Sequence, residues 1–172
     1  MSPADRLRTD PAAIERVVLE AVIASGADAE VIEVDPDLAD TAAFCEHYGY
    51  PPETSGNCIL VASRDDPPTM AACLALATTK LDVNKRVRKL LGVRKCSFAP
   101  AELTQQATGM QIGGVTPFGL PDDLPIWIDA RIRDLDRVIV GGGSRSIKLL
   151  VDPAAFTTIG AEFVEDLAVA TG

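Results

Sequence analysis

The sequence predicts a single α+β domain with a mixed, mostly antiparallel sheet. The chain has 172 residues, of which 47% are apolar, and this is enough to enclose a substantial core. Predicted strands are joined sometimes by helices and sometimes by turns alone, whereas a doubly wound parallel sheet requires a helix at nearly every crossover. We expect residues 1–9 to form a flexible tail and residues 10–172 to form the domain.

The N-terminal half is predicted to contain two helices and three strands. Asp10-Pro11 is a favourable helix start, because a capping side chain precedes a proline in the first turn. Two apolar runs follow further on, joined by Asp65-Asp-Pro-Pro68, which indicates a strand pair connected by a loop. We predict helices over 10–25 and 38–47 and strands over 31–34, 58–62 and 70–77.

The C-terminal half alternates helices and strands. Asp82 is positioned to cap a helix that Gly92 ends, and Pro100 begins another helix that leads to Thr108. Strands are predicted over 94–98, 126–129, 138–140 and 147–151, a short turn or helix through Leu135, a short helix after Asp152-Pro153, and a strand or helix over 162–168.

Composition excludes several classes of protein. No apolar run approaches the roughly 20 residues needed to cross a bilayer. The four cysteines form no C-x-x-C pair and His47 is the only histidine, which argues against a disulfide framework and a zinc site. We therefore expect a cytoplasmic protein with reduced thiols, no membrane partner, no metal and no cofactor.

Charge is distributed unevenly along the chain, whose net charge is -9. No Lys or Arg lies between Arg16 and Arg64, although many carboxylates do. The basic residues instead crowd the predicted helix after Asp82. Because the apolar positions of that helix share one face, the other face is cationic, and we call it the basic helix; its charged residues are Lys85, Arg86, Arg88 and Lys89.

The densest turn signal is the stretch from Thr108 to Gly119, Thr-Gly-Met-Gln-Ile-Gly-Gly-Val-Thr-Pro-Phe-Gly, which we call the glycine-rich loop. Glycine admits positive φ and lets another group approach the backbone, while Pro117 fixes its own φ and restricts Thr116. This composition predicts a rigid loop that presents bare backbone groups, or otherwise an ordinary tight turn.

The glycine-rich loop resembles the signature loop of the YbaK/prolyl-tRNA-synthetase-associated domain, a family of aminoacyl-tRNA editing deacylases. The resemblance covers roughly residues 30 to 170. It implies a curved, barrel-like sheet with helices packed outside. It also implies hydrolysis of the ester that joins a small amino acid such as Cys, Ala or Ser to the 3′ adenosine of a mischarged tRNA, in trans. An aminoacyl-tRNA synthetase is a further candidate partner, and the chain is expected to be a monomer or a homodimer.

The resemblance also implies the catalytic residues. The backbone N–H groups of Gly113 and Gly114 are expected to stabilise the oxyanion. Asp129 matches the family's aspartate after an apolar strand; it orders a water or the ribose, or it caps the next helix, or both. The family carries a lysine in a Val-x-Lys-Thr-Leu run, and the corresponding run Ser55–Leu60 has Asn57 at that position. Asparagine can form hydrogen bonds but supplies no charge.

Substrate-binding residues are expected on the glycine-rich loop and on the last strands. Gly141–Ser146 lacks the ending of a phosphate-binding P-loop, so it is either an anion-binding nest or a hairpin loop. Lys148 either points inward as a site residue or is a charge on an edge strand, and Lys80 is another lysine that could compensate for Asn57. The candidates are Thr108, Gly109, Thr116, Pro117, Gly142, Ser144 and Lys148.

Three functions therefore remain open from the sequence. The basic helix fits contact with tRNA phosphates, although a solvated cationic face is common on any amphipathic helix. The first function is an editing deacylase. The second is a catalytically impaired module that binds aminoacyl-adenosine or a tRNA 3′ end without turnover, because Asn57 replaces the lysine. The third is a protein-interaction domain that uses the acidic N-terminal half.

Overall fold

The computed structural model describes residues 1–171. The helices are α1 (Pro3–Leu7), α2 (Ala13–Ala24), α3 (Thr41–Tyr48), α4 (Arg88–Leu91), α5 (Ala101–Thr108) and α6 (Ala155–Thr158). Short 3-10 turns lie at Pro36–Leu38, Pro52–Thr54 and Ala130–Asp134, and a π-type turn at Val83–Val87 leads into α4. The strands are β1 (Ala29–Glu33), β2 (Gly56–Ser63), β3 (Met70–Leu76), β4 (Thr79–Leu81), β5 (Cys96–Phe98), β6 (Ile126–Asp129), β7 (Val138–Gly141), β8 (Ile147–Val151), β9 (Glu162–Val164) and β10 (Ala168–Ala170).

The strands form three sheets. The largest has the order β5-β2-β3-β6-β9, antiparallel from β5 to β3 and parallel from β3 to β9. β1, β8 and β7 form an antiparallel sheet with β8 in the centre, and β4 pairs with β10. The predicted mixed α+β fold is therefore confirmed.

The expected barrel-like sheet is wrong. Within residues 1–171 the three sheets do not close on each other, and a single bridge between Ser55 and Ile139 links the five-stranded sheet to the three-stranded one. The short strands explain this, because β5, β9 and β10 each have only three residues and cannot continue a ladder around a barrel.

Both faces of the five-stranded sheet are buried. Successive strand residues point to opposite faces, so they enter two different cores. Leu74 and Ile128 pack with α2 and the three-stranded sheet in the first core. Their neighbours Cys73 and Trp127 pack in the second core, under the basic helix and β10. This double burial explains why β3 and β6 are continuous apolar runs in the sequence.

Residues 1–9 do not form the expected flexible tail, because they contain α1 and are bonded to the rest of the domain. Ser2 caps α1 by accepting a hydrogen bond from the Asp5 N–H at 3.1 Å. Arg6 forms an ion pair with the buried carboxylate of Glu15 at 3.1 Å, which fixes α1 against α2. The Met1 carbonyl also accepts a hydrogen bond from Val31 N–H at 2.7 Å, so α1 is anchored at both ends.

Other differences concern short elements. The predicted helix over 38–47 is divided into a 3-10 turn and α3, and residues 162–168 belong to β9 and the start of β10 rather than to one element. β4 was missed because three residues carry almost no periodic signal, and its partner β10 lies far along the chain. Within residues 1–171, no helix has both the length and the apolarity needed to cross a membrane.

Candidate active site

A cavity of about 300 Å³ opens beside β2. β5 pairs only with Val61–Ser63, so the segment Gly56–Leu60 of β2 has no strand neighbour on that side. The carbonyl of Leu60 accepts a hydrogen bond from Ala99 N–H at 2.8 Å, and strand alternation directs the backbone of Cys58 to the same side. The free edge of β2 therefore forms one wall, and the rest of the lining includes Asp40, Thr41, Ile112, Gly113, Val115 and Lys148.

The glycine-rich loop forms the second wall, and hydrogen bonds attach it to the loop between β7 and β8. Gln111 N–H donates to the Gly143 carbonyl at 3.1 Å, and Gly143 N–H donates to the Gly114 carbonyl at 2.6 Å. The loop begins where α5 ends, with Gly109 in the left-handed conformation at φ 73°. These hydrogen bonds to a second glycine segment, Gly141–Gly143, account for the rigidity that was predicted for the loop.

Close approach requires glycine at two positions of this contact. A Cβ on Gly114 would collide with the carbonyl of Ser144, and a Cβ on Gly141 would lie 2.5 Å from the carbonyl of Val115. Gly113 has φ 90°, a conformation that residues with side chains rarely adopt. The two glycine segments therefore specify each other's spacing.

The two expected oxyanion donors differ in availability. Gly113 lines the cavity, and its N–H makes no hydrogen bond to any group of residues 1–171. Gly114 N–H instead donates to the Gln111 carbonyl at 2.8 Å, and Gly114 does not line the cavity. The expectation for Gly114 is therefore corrected, because the turn that shapes the loop uses its donor.

Asn57 lies in the cavity wall, where the family's lysine was expected. Its Oδ1 accepts a hydrogen bond from the Thr41 hydroxyl at 2.5 Å. The amide is therefore oriented by α3, and no group of residues 1–171 accepts a hydrogen bond from its NH₂. Asn57 can donate hydrogen bonds to a ligand but gives the cavity no charge.

Lys148 brings a positive charge to the cavity wall. It lies on β8, the central strand of its sheet, so the edge-strand alternative is wrong. The residue is 7% exposed, its Nζ lies 3.4 Å from the Gly113 carbonyl, and it sits 5.2 Å from the centre of the Phe44 ring. Burial lowers the pKa of Lys148 below its ordinary value. Lys80, on β4, lies outside the cavity wall.

Asp129 does not lie at the cavity, which corrects its expected catalytic position. Its carboxylate, 1% exposed, caps the 3-10 turn by accepting from Arg131 N–H at 3.0 Å. It also accepts from the Arg131 guanidinium and from Ala168 N–H at 2.9 Å. Each oxygen already has two donors, so the capping alternative accounts for the residue fully.

Six of the seven expected substrate-binding residues do not line the cavity, and two of these six have side-chain contacts within the fold. The Thr108 hydroxyl donates to the Thr104 carbonyl at 2.7 Å and accepts from Met110 N–H at 3.1 Å, which ends α5. Ser144 donates to the Glu15 carboxylate at 2.6 Å. Of the seven candidates, only Lys148 lines the cavity; the others are Thr108, Gly109, Thr116, Pro117, Gly142 and Ser144.

The basic helix packs on the other face of the five-stranded sheet, away from the cavity. Val87 is buried in the second core, whereas Lys85, Arg88 and Lys89 are exposed. Arg86 is half-buried and donates to the Glu165 carbonyl at 3.0 Å. The helix is thus a separate surface rather than a part of the cavity.

Arg145, which the sequence offered only as part of the candidate nest Gly141–Ser146, holds the cavity walls together. Arg145 donates to the carbonyls of Pro36 and Ile112, each at 2.9 Å, and pairs with Asp40 at 3.1 Å. One side chain thus joins the 3-10 turn before α3 to the glycine-rich loop. Its position in the glycine-rich segment Gly141–Ser146 was the signal in the sequence. Within residues 1–171, His, Cys, Asp and Glu side chains form no group of three or more that could hold a metal.

Residues 35–159 match the family model of the aminoacyl-tRNA editing domain, which is more than half of the chain. The chain therefore belongs to the aminoacyl-tRNA editing domain family, the YbaK family, as the glycine-rich loop indicated.

Solved structures of low sequence identity share the fold. The crystal structure of a candidate trans-editing enzyme for prolyl tRNA synthetase aligns with a TM-score of 0.76 at 19% identity, covering 94% of this chain and 99% of that one. Hypothetical protein APE2540 aligns with a TM-score of 0.77 at 22% identity, covering 88% and 99%. A curated relative, the uncharacterized protein YwhH of Bacillus subtilis (strain 168), is 34% identical over 80 residues, which are 46% of this chain. The chain spans about half the length of that relative.

Proposed function

We propose that this domain is a trans-acting deacylase that hydrolyses the ester between a small amino acid and the 3′ adenosine of a mischarged tRNA. One observation carries the proposal. The glycine-rich loop, which resembles the signature loop of the editing family, forms one wall of a cavity. Three kinds of donor occur among the lining residues of that cavity: an unpaired backbone N–H, a side-chain amide and an ammonium group. Those groups belong to Gly113, Asn57 and Lys148. All three favour oxygen atoms that carry or develop negative charge.

Hydrolysis at this cavity requires no protein nucleophile. Cys58 is a lining residue, but burial raises the pKa of its thiol to about 12, so the reactive thiolate is absent at neutral pH. His47 is not among the lining residues. Water therefore attacks the ester carbonyl, oriented by the substrate's own free ribose hydroxyl, while Gly113 N–H stabilises the oxyanion.

Cavity size supports a small amino acid. A volume of about 300 Å³ is at the lower end of ligand pockets, and apolar groups of Ile59, Leu60 and Val115 border it. A wall of this kind separates amino acids that differ by a methylene by about 1–3 kcal/mol. We expect Cys, Ala or Ser esters to fit, with the adenosine nearer the cavity mouth.

The basic helix is proposed as the tRNA contact. Its exposed cations Lys85, Arg88 and Lys89 attract phosphates without reading bases, and Arg86 adds a fourth positive charge beside them. Because this surface is separate from the cavity, it would contact the tRNA body while the 3′ end reaches the cavity. A synthetase that delivers the charged tRNA is a second candidate partner, and a monomer or a homodimer would serve equally.

The binding module remains the second candidate because of a specific observation. Asn57 is neutral and held by Thr41, so β2 contributes no charge to catalysis. A domain of this kind would bind aminoacyl-adenosine or a tRNA 3′ end and release it unchanged.

Amino-acid release from a panel of charged tRNAs, led by Cys-tRNA(Pro) and Ala-tRNA(Pro), separates the two candidates. We expect turnover by the wild type and a loss on the order of 100-fold in Gly113→Val, because the changed loop no longer presents its donor. Gly26→Val is the matched control: Gly26 also has positive φ, at 71°, but a Cβ there meets no atom within 4 Å. No turnover on any member of the panel, with retained binding of aminoacyl-adenosine, would establish the binding module instead.

A further inference from the structure

Lys148 is a buried ammonium group without a carboxylate partner. Among the ion pairs of residues 1–171, none includes Lys148. Its one hydrogen bond, to the Gly113 carbonyl, is long at 3.4 Å. The ammonium group also makes a cation–π contact with the ring of Phe44. A buried charge that is not paired destabilises the fold, so its presence requires a compensating role.

Neighbouring groups do not neutralise this charge. The Asp40 carboxylate pairs with Arg145 at 3.1 Å, and the guanidinium adds a second positive charge nearby. The Cys45 thiol shares a hydrogen bond with Ser55 at 3.5 Å. The Cys58 thiol is protonated at neutral pH because burial raises its pKa to about 12. The described groups around Lys148 thus leave net positive charge at the cavity.

The amine is also in the correct place to meet a ligand. Lys148 and Asn57 both line the cavity, one from β8 and one from β2, and Lys148 contacts the same glycine that presents the unpaired N–H. An anionic oxygen in the cavity would therefore have a charged donor on one side and neutral donors on the others.

We propose that Lys148 supplies the cation of this site from β8, binding an anionic oxygen of the substrate, while β2 supplies only the neutral amide of Asn57. The proposal rests on the proposed function for the identity of the substrate. Two oxygens share this chemistry: the phosphate of the 3′-terminal nucleotide, and the ester carbonyl oxygen that becomes negative when water attacks.

Binding of adenosine 5′-monophosphate and of adenosine, measured by calorimetry, tests the phosphate. We expect the wild type to bind the monophosphate about tenfold more tightly than adenosine, as one charge-assisted hydrogen bond provides. Lys148→Met, or Lys148→Gln where the Met variant fails to fold, should lose this preference. The matched control is Lys80→Met, which removes a lysine outside the cavity and should keep it.

Deacylation kinetics test the oxyanion. If the wild type shows no monophosphate preference, a fall of kcat on the order of 100-fold in Lys148→Met with KM unchanged would assign the amine to the oxyanion. A preference and a kcat that both stay within threefold of the wild type would overturn the proposal. If the wild type hydrolyses no charged tRNA, the deacylase proposal fails while the nucleotide measurement still decides the role of Lys148.

Thermal stability distinguishes a ligand-binding lysine from a structural one. Removing an unpaired buried charge should leave the melting temperature of Lys148→Met equal to that of the wild type or raise it by roughly 2–4 °C. A lower melting temperature together with retained nucleotide preference would show a purely structural lysine and would overturn the proposal.

Discussion

The glycine-rich loop and the strands β2 and β8 both border the cavity, but they use their polar groups in opposite ways. Backbone groups of Gly114 and Gly143 bond to each other and to Gln111, so these loop groups are used within the fold. Asn57 and Lys148 instead lie on regular strands and keep donors for a ligand. The loop thus shapes the cavity, and the strands provide most of its chemistry.

This difference explains why the loop sequence identifies the family, whereas it does not identify the functional side chains of the cavity. A loop that fits against a second glycine segment tolerates few substitutions, because a Cβ at Gly114 or Gly141 meets backbone atoms. Asn57 on β2 and Lys148 on β8 are not glycine positions of this kind, so their side chains can change while the fold persists. A charge missing from β2 can be supplied from β8 without altering the loop.

The largest expected effect comes from Gly114→Val, which should disrupt the close packing of the two glycine segments that shapes the cavity. The new Cβ would collide with the Ser144 carbonyl, and backbone cannot move aside as a flexible side chain can. We expect a loss of about 4 kcal/mol or more in the free energy of unfolding together with the loss of deacylation. Urea denaturation and amino-acid release measure both.

Asn57→Ala is the matched change on the strand side. It should reduce deacylation while the free energy of unfolding changes by about 1 kcal/mol, because only the bond to Thr41 is lost. If the two variants lost stability equally, the division between a shaping loop and functional strands would be wrong.

Glu15→Ala is expected to have the next largest effect. This carboxylate is 2% exposed, pairs with Arg6 at 3.1 Å and accepts from Ser144 at 2.6 Å, so it connects α1, α2 and the loop after β7. Leaving Arg6 and Ser144 without their partner should reduce the free energy of unfolding by about 3 kcal/mol. Glu20→Ala, an exposed carboxylate on the same helix, is the control in urea denaturation. Equal effects would show that the buried anchor does not support the loop.

The fold was predictable from the sequence wherever periodicity or capping was strong. β2, β3 and α5 are long enough to show their pattern, and the glycine-rich loop identified the family. α1 was missed because five residues carry little periodic signal, and its stability comes from Arg6 meeting Glu15 across two elements. The site was less predictable, because cavity lining depends on how strands from distant parts of the chain are placed.

Asp129 and Lys148 illustrate this limit. Both are polar residues on apolar strands, and the sequence allowed a structural or a functional role for each. β10 brings the Ala168 N–H to Asp129 and completes its hydrogen bonds, whereas nothing comparable reaches Lys148. The distinction rests on long-range pairing, which no local pattern records.

Asp129→Ala tests the structural assignment directly. Loss of the cap on Arg131 and of the bond from Ala168 should reduce the free energy of unfolding by about 2 kcal/mol, while kcat per folded molecule is unchanged because the carboxylate lies outside the cavity. Deacylation is measured below the unfolding transition. A fall of kcat in fully folded protein would restore Asp129 to the catalytic residues.

The smallest effect is expected from charge reversal on the basic helix, which belongs neither to the glycine-rich loop nor to the strands β2 and β8. Lys85→Glu or Lys89→Glu should raise KM for charged tRNA and lower the salt dependence of binding by about one phosphate contact each. Arg64→Glu, an exposed cation outside the helix, is the control. Hydrolysis of aminoacyl-adenosine, which has no tRNA body, should be unchanged, because these cations do not line the cavity. Slower hydrolysis of this small substrate would mean that the basic helix acts on the cavity itself, so the chemistry would no longer belong to the strands alone.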